Sequence, residues 1–224
     1  GILAGTGGAV IVQFTSLLVT PLYLDLTSQE LFGLWLTLGA ILGWIKIGDM
    51  GLGMALTRRS VEAFEDDNYI LLCRLVYGAI LPALVFSIVI TGIGYLFTDT
   101  LVAMFRIDST LEAEFRQTYN ILLGIAVVRP ALGVFSSLID GKQHIAYISI
   151  RNTVLSLITI VVTLSCLFLD YGIVSFAYGL LSEALLIAFI DITYLKIIDK
   201  KVIFFPIKTS KKEIVSLFSF GAPF

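Results

Sequence analysis

The sequence predicts an all-α fold: a polytopic membrane helical bundle of six transmembrane helices plus the start of a seventh. Three observations predict it. Hydrophobic residues fill 58% of the 224 positions and charged residues 14%, where an ordinary soluble domain carries about a quarter charged residues; the mean hydropathy is +0.97. Apolar runs fall at 1–23, 31–56, 70–98, 117–139, 145–169 and 171–196, with another beginning near 213, and each full run is long enough for a spanning helix of roughly 20 residues. Lysine and arginine gather on alternate connections between these runs.

The first run has no basic leader and is long enough to span, so it reads as a permanent anchor rather than a cleaved signal. It closes on Pro21 and Tyr23, and "DLTSQE" (25–30) leads into the second run. That run carries Lys46 and Asp49 within its apolar stretch, then "MGLGMAL", and stops at Arg58 and Arg59. Its small residues suit either close helix packing in lipid or local unwinding beside a substrate. The polar segment "VEAFEDDNY" (61–69) is expected to be a solvated loop or an extension of the second helix. The third run contains Pro82, and "DTLVAMFRIDSTLEAEFRQTY" (99–119) mixes apolar and acidic residues at near-helical spacing, which predicts a short interfacial helix.

The fourth run holds Arg129 and Pro130. A proline inside a span removes a backbone donor and bends the helix unless neighbours compensate. "IDGKQH" (139–144) reads as a tight turn in which Asp-Gly supplies the positive φ of a sharp reversal. The fifth run carries Arg151, "LDYG" (169–172) turns the chain again, and the sixth carries Glu183 and Asp191. Three divisions are expected: a six-helix lobe over 1–198, a basic cytoplasmic linker over 199–212, and the truncated start of a second lobe over 213–224, where the chain stops inside "IVSLFSFGAPF".

Orientation follows from the basic residues, because an excess of Lys and Arg marks cytoplasmic connections. Arg58, Arg59, Arg74, Lys142, Arg151, Lys196, Lys200, Lys201, Lys208, Lys211 and Lys212 lie at or near the second, fourth and sixth connections, against Arg106 and Arg116 at the others. Eleven against two places the N-terminus in the cytoplasm, in a multi-pass cytoplasmic-membrane topology. Aromatic residues at helix ends, among them Tyr23, Trp35, Tyr69, Tyr119 and Tyr171, suit interfacial anchoring.

Enzyme signatures are missing. Cys73 and Cys166 are predicted at opposite ends of their spans and cannot bridge. With a single His144 there is no metal-ligand set and no Cys/His nucleophile. No catalytic residue, metal or cofactor is expected, and nothing in the charge pattern suggests nucleic acid.

The charges inside the apolar runs carry the functional signal. At 1.5 Å of rise per residue, Lys46 lies about 18 Å and Asp49 about 13 Å from Arg58, near the middle of a roughly 30 Å hydrocarbon core. Spaced i, i+3, the two share a helix face and can pair. Arg129 lies about 19 Å from Lys142, and Arg151 about 10 Å above His144, on the same count. Charges at such depth cost on the order of 2.5–3.5 kcal/mol each on insertion scales, so they face a bundle interior or a watery cavity. Glu183, about 20 Å from the outer end of its run, is a candidate proton or sodium site, because desolvation disfavours a charged carboxylate and a nearby cation favours it. Pairing with Arg129 or Lys46 is the structural alternative for Glu183, and snorkelling or pairing across helices the alternative for both arginines.

The succession "TPLYLDLTSQELFGLWLTLGAILGWIKIGDMGLGMALTRRS" (20–60), with "LIDGKQHIAYISIRN" (138–152), resembles the oligosaccharide flippases of polysaccharide biosynthesis, the O-antigen or Wzx-type family. That family belongs to the superfamily of multidrug-and-toxin extruders and lipid II flippases (MATE and MOP). The resemblance implies two six-helix lobes around a central cavity and alternating access. The cargo would be an undecaprenyl-pyrophosphate-linked oligosaccharide moved to the outer leaflet, with membrane lipids and other polysaccharide assembly proteins as partners. This chain would be the N-terminal lobe and the start of the second. Lys46, Arg129 and Arg151 would then receive the pyrophosphate, while Asp49 and Glu183 tune charge or couple a proton or sodium ion.

Three other readings compete, one of them a non-transporting scaffold or lipid-binding membrane protein. A cation-coupled multidrug exporter of the same superfamily favours buried carboxylates and aromatics over three deep bases. A membrane-embedded polysaccharide polymerase or glycosyltransferase needs a large catalytic loop, and no connection here is long enough.

Overall fold

The computed structural model describes residues 2–47 and 52–198. Within them the chain forms eight helices and no strand: α1 (Ile2–Leu26), α2 (Gln29–Ile47), α3 (Leu52–Glu65), α4 (Tyr69–Leu96), α5 (Thr98–Met104), α6 (Ser109–Gly141), α7 (Ile145–Phe168) and α8 (Val174–Ile198). The linker and the seventh helix expected beyond 198 lie outside the described residues.

Among those described, α4, α6 and α7 are long and apolar enough to cross a membrane, and Val10–Leu26 of α1 is a shorter apolar stretch. Large apolar side chains cover the outward faces: Phe14, Leu17 and Leu18 of α1, Leu81, Val85 and Ile88 of α4, and Ile150, Val154 and Val161 of α7 are all exposed. Soluble monomers rarely carry contiguous apolar patches beyond a few hundred Å², whereas lipid accepts such a surface. The fold is an all-α membrane bundle.

Helix α6 is the central element, packed against α4, α3 and α8, while α7 lies between α8 and α1. Contacts at both ends of α4 and α6 make them antiparallel. Tyr119 Oη donates to the Gly94 carbonyl at 3.0 Å near one end, and Leu72 and Leu75 share a buried cluster with Leu138 and Ile139 near the other. Helices α7 and α8 form an antiparallel hairpin packed so closely that a β-carbon at Gly179 would stand 3.1 Å from the Thr159 carbonyl oxygen and on top of the Thr163 hydroxyl. Such small-residue contacts let helices approach where lipid supplies no hydrophobic drive between them.

Three local expectations meet the structure here, and one of them is corrected. The segment 99–119 holds a short helix, α5, which stops at Met104; Arg106 then turns the chain with φ 49°, and α6 begins at Ser109. Asp108 caps α6 by accepting from the Thr110 amide at 3.3 Å, and burial of Phe115 and Tyr119 carries the helix out past the apolar run. Helix α3 continues to Glu65 because Leu56, Ser60 and Ala63 are buried on one face, so 61–65 is the extension and not a loop. In 139–144 the positive φ falls on Gln143, at 57°, while Gly141 is the last helical residue of α6. Its missing side chain serves packing: a β-carbon there would overlap the Ser60 hydroxyl and stand 3.0 Å from the Thr57 carbonyl oxygen.

Two buried apolar clusters fill the bundle. One joins α3, α4, α6 and α8 through Leu56, Leu75, Ala79, Val134, Leu138 and Leu195. The other joins α2, α6 and α8 through Leu38, Phe115, Leu122, Ile125, Ala177 and Ala184. Beside the second cluster, Phe176 of α8 stacks on Trp35 of α2 at 4.9 Å between ring centroids and meets the Tyr23 ring of α1 edge-on at 5.1 Å.

Candidate functional site

Between the two apolar clusters α6 carries a single charged residue, Arg129, among apolar ones. The cluster that holds Phe115 ends on α6 at Ile125, and the one that holds Leu138 begins at Val134. Arg129 stands between them, next to Pro130. Its Nη2 donates to Glu183 Oε1 of α8 at 3.1 Å. The two side chains keep 37% and 22% of their surface, so the pair is neither sealed in the core nor free on the surface. A guanidinium has five N–H donors. Glu183 is the one hydrogen-bond partner of Arg129 among the described residues, which leaves further donors of the guanidinium without a partner there. Glu183, expected as a lone carboxylate or as a partner of Arg129 or Lys46, is thus placed with Arg129.

Two turns further along the same helices lies a second polar station of different character. Arg151 Nη1 donates to Asp191 Oδ2 and to Ser136 Oγ, the latter at 3.4 Å. Its Nε and Nη2 both reach Asn152 Oδ1, at 3.2 and 3.0 Å. Ser136 Oγ donates to Asp191 Oδ2 at 2.5 Å, and Tyr147 Oη to Asp191 Oδ1 at 3.2 Å. Tyr194 stacks on Tyr147 with ring centroids 3.4 Å apart, and its hydroxyl meets His144 Nδ1 at 2.9 Å. Arg151 and Asp191 are 7% and 1% exposed. This network joins α6, α7 and α8 around a buried Arg151–Asp191 pair with both carboxylate oxygens occupied, while Asn152 at its edge is exposed.

A family model described as polysaccharide biosynthesis protein matches residues 1–224. The chain belongs to the polysaccharide biosynthesis protein family. No curated protein and no solved structure is a match to it.

In this polysaccharide biosynthesis protein the expected site residues do not form one cluster. Arg129 meets Glu183, whereas Arg151 is drawn to Asp191, Ser136 and Asn152. Lys46 belongs to α2, one residue before its described end, and Asp49 lies outside the described residues. Sequence reasoning missed Ser136, Tyr147 and Asn152, and left Asp191 near a boundary with no partner. One signal was present: Arg151 lies nineteen residues before Asp170 and Asp191 twenty-one after it, so an antiparallel hairpin about that turn brings base and acid level. Ser136 and Tyr147 carried no such signal, because hydroxyls are common in membrane helices and usually bond back to their own backbone, as Thr153 and Thr159 do here.

Proposed function

We propose that this protein is the N-terminal lobe of a flippase that moves an undecaprenyl-pyrophosphate-linked oligosaccharide across the cytoplasmic membrane by alternating access. The observation that carries the reading is the partly exposed guanidinium of Arg129, held by a single carboxylate between two apolar cores. A pyrophosphate carries negative charge that cannot cross hydrocarbon unaided, and arginine offers it paired, charge-assisted hydrogen bonds. Arg129 is therefore the substrate contact in this reading, with Lys46 contributing from α2 and Asp49 tuning it. Glu183 holds Arg129 in place between transport events and is the candidate for taking a proton or sodium ion when the substrate displaces it.

Arg151 receives a different part. Its side chain is buried and its nitrogens are engaged by Asp191, Ser136 and Asn152, so in this reading it braces the helices and does not meet the cargo. The absence of a large connection among the described helices sits better with transport than with a polymerase or glycosyltransferase.

The test is translocation of a labelled lipid-linked oligosaccharide in vesicles containing the full-length protein. Arg129→Ala should insert normally and lose most of the transport. Wild-type transport by a normally inserted Arg129→Ala protein would remove Arg129 from the substrate path and with it the main support for this reading.

A further inference from the structure

The two polar stations on α6 and α8 share one register. Arg129 meets Glu183 and Ser136 meets Asp191; the partners are separated by 54 and 55 residues respectively. Offsets that agree to within one residue mean that the helices run parallel and that both contacts belong to a single alignment. The stations lie about 10 Å apart along α6, two helical turns.

That alignment needs an anchor. Between packed helices in lipid there is no hydrophobic drive, and van der Waals fit and interhelical hydrogen bonds set the register. Sliding or rotating α6 by one residue displaces a side chain by 1.5 Å along the axis and about 100° around it, enough to take Arg129 off Glu183. Pro130 adds to the need: it cannot donate to the carbonyl one turn back, so α6 is weakened beside the arginine that must be held in place. The inner half of α6 is where specific contacts accumulate. Asp191 receives Ser136 from α6, Tyr147 and Arg151 from α7, and is itself carried by α8. One buried carboxylate thereby ties three helices. Fixing register is the best-attested role of a buried polar or ionic group.

We propose that Asp191, held by Arg151, is a positioning residue that sets the α6–α8 register and so places the Arg129 guanidinium for its anionic ligand. This rests on the reading of Arg129 as the phosphate contact. Asp191 does not touch the ligand; it is 1% exposed and both of its oxygens are engaged.

The test uses the purified full-length protein in lipid nanodiscs, with inorganic pyrophosphate as the probe and two readouts, pyrophosphate affinity and thermal unfolding midpoint. Arg151→Met with Asp191→Leu removes both charges at similar volume, a replacement that is often neutral or stabilising for a buried pair. This double variant should unfold at or above the wild-type midpoint yet bind pyrophosphate about tenfold more weakly, equivalent to about 1.4 kcal/mol. Arg151→Lys, which keeps a cation for Asp191, should retain most of the affinity. Asp191→Asn, of the same size, provides a second route should the double variant not fold, and it too should lose affinity. Wild-type affinity in the folded double variant or in Asp191→Asn, with binding lost in Arg129→Ala, would overturn the positioning role and leave the phosphate contact standing. Wild-type affinity in Arg129→Ala would overturn the reading on which it rests.

Discussion

Gly141 of α6 faces Ser60 of α3 so closely that a β-carbon on the glycine would overlap the serine hydroxyl. The contact sits where Thr57 Oγ1 also donates to the Ser137 carbonyl at 3.2 Å and Ser60 Oγ donates to the Thr57 carbonyl at 2.7 Å. Three small or hydroxyl side chains thus let two backbones meet near the C-terminal end of α6. Gly141→Ala should lower the thermal midpoint of the full-length protein, with an overpacking penalty of roughly 1–3 kcal/mol. Gly133, eight residues earlier on the same helix, has no atom within 4 Å of the place a β-carbon would take. Gly133→Ala should be neutral or raise the midpoint, since alanine in a helix is favoured over glycine by roughly 0.5–1 kcal/mol. Equal effects of the two substitutions would show that close approach at Gly141 does not matter.

Orientation is open to direct labelling. Cysteines introduced singly in 25–30 and 170–172 of a full-length protein lacking Cys73 and Cys166 should react with an impermeant thiol reagent added outside intact cells. Cysteines in 140–143 and 200–212 should react only after permeabilisation. The bias of basic residues toward alternate connections demands this pattern, and the opposite pattern would invert the topology.

Most helices were legible because a long apolar run has few alternatives in a membrane chain. Helix ends were less so. The start of α6 at Ser109 follows from the Asp108 cap and from the burial of Phe115, and neither alters hydropathy. At 139–144 the Asp-Gly pair pointed to the wrong residue: glycine serves both positive φ and close approach, and only the neighbouring helix shows that Gly141 serves the second. For the site, depth along a helix was readable and azimuth was not. Counting residues put Arg129 and Arg151 deep in the bundle, but whether each meets an open space or another helix depends on how α6, α7 and α8 rotate against one another.

Lys46 and Asp49 are separable by a double change. If they only neutralise each other, Lys46→Leu with Asp49→Asn should transport as well as wild type, because removing both partners is far less costly than stranding one buried charge. If Lys46 contacts the pyrophosphate, the double variant should insert and fail to export the lipid-linked oligosaccharide, which would accumulate in cells lacking their own flippase. The proposed function requires the second outcome.

The Arg129–Glu183 pair yields the sharpest contrast between structural and functional roles. Each side chain keeps part of its surface, 37% and 22%; in the water-lined cavity that the proposed function requires, solvent screens the pair and its worth to stability lies toward the surface range, roughly 0–1 kcal/mol. Arg129→Met, Glu183→Gln and the combination should therefore unfold within a few degrees of wild type. Transport should not follow stability. Arg129→Met removes the phosphate contact and should abolish export whatever occupies 183. Glu183→Gln keeps a hydrogen-bond acceptor for Arg129 but takes away the charge that competes with the substrate for it. It should bind pyrophosphate more tightly than wild type while turning over more slowly, because release would no longer be helped by the returning carboxylate. Affinity and turnover moving in opposite directions cannot come from a general loosening of the bundle, which would weaken both. If Glu183→Gln instead binds more weakly and unfolds early, the carboxylate is holding the helices together and takes no part in handing the ligand on.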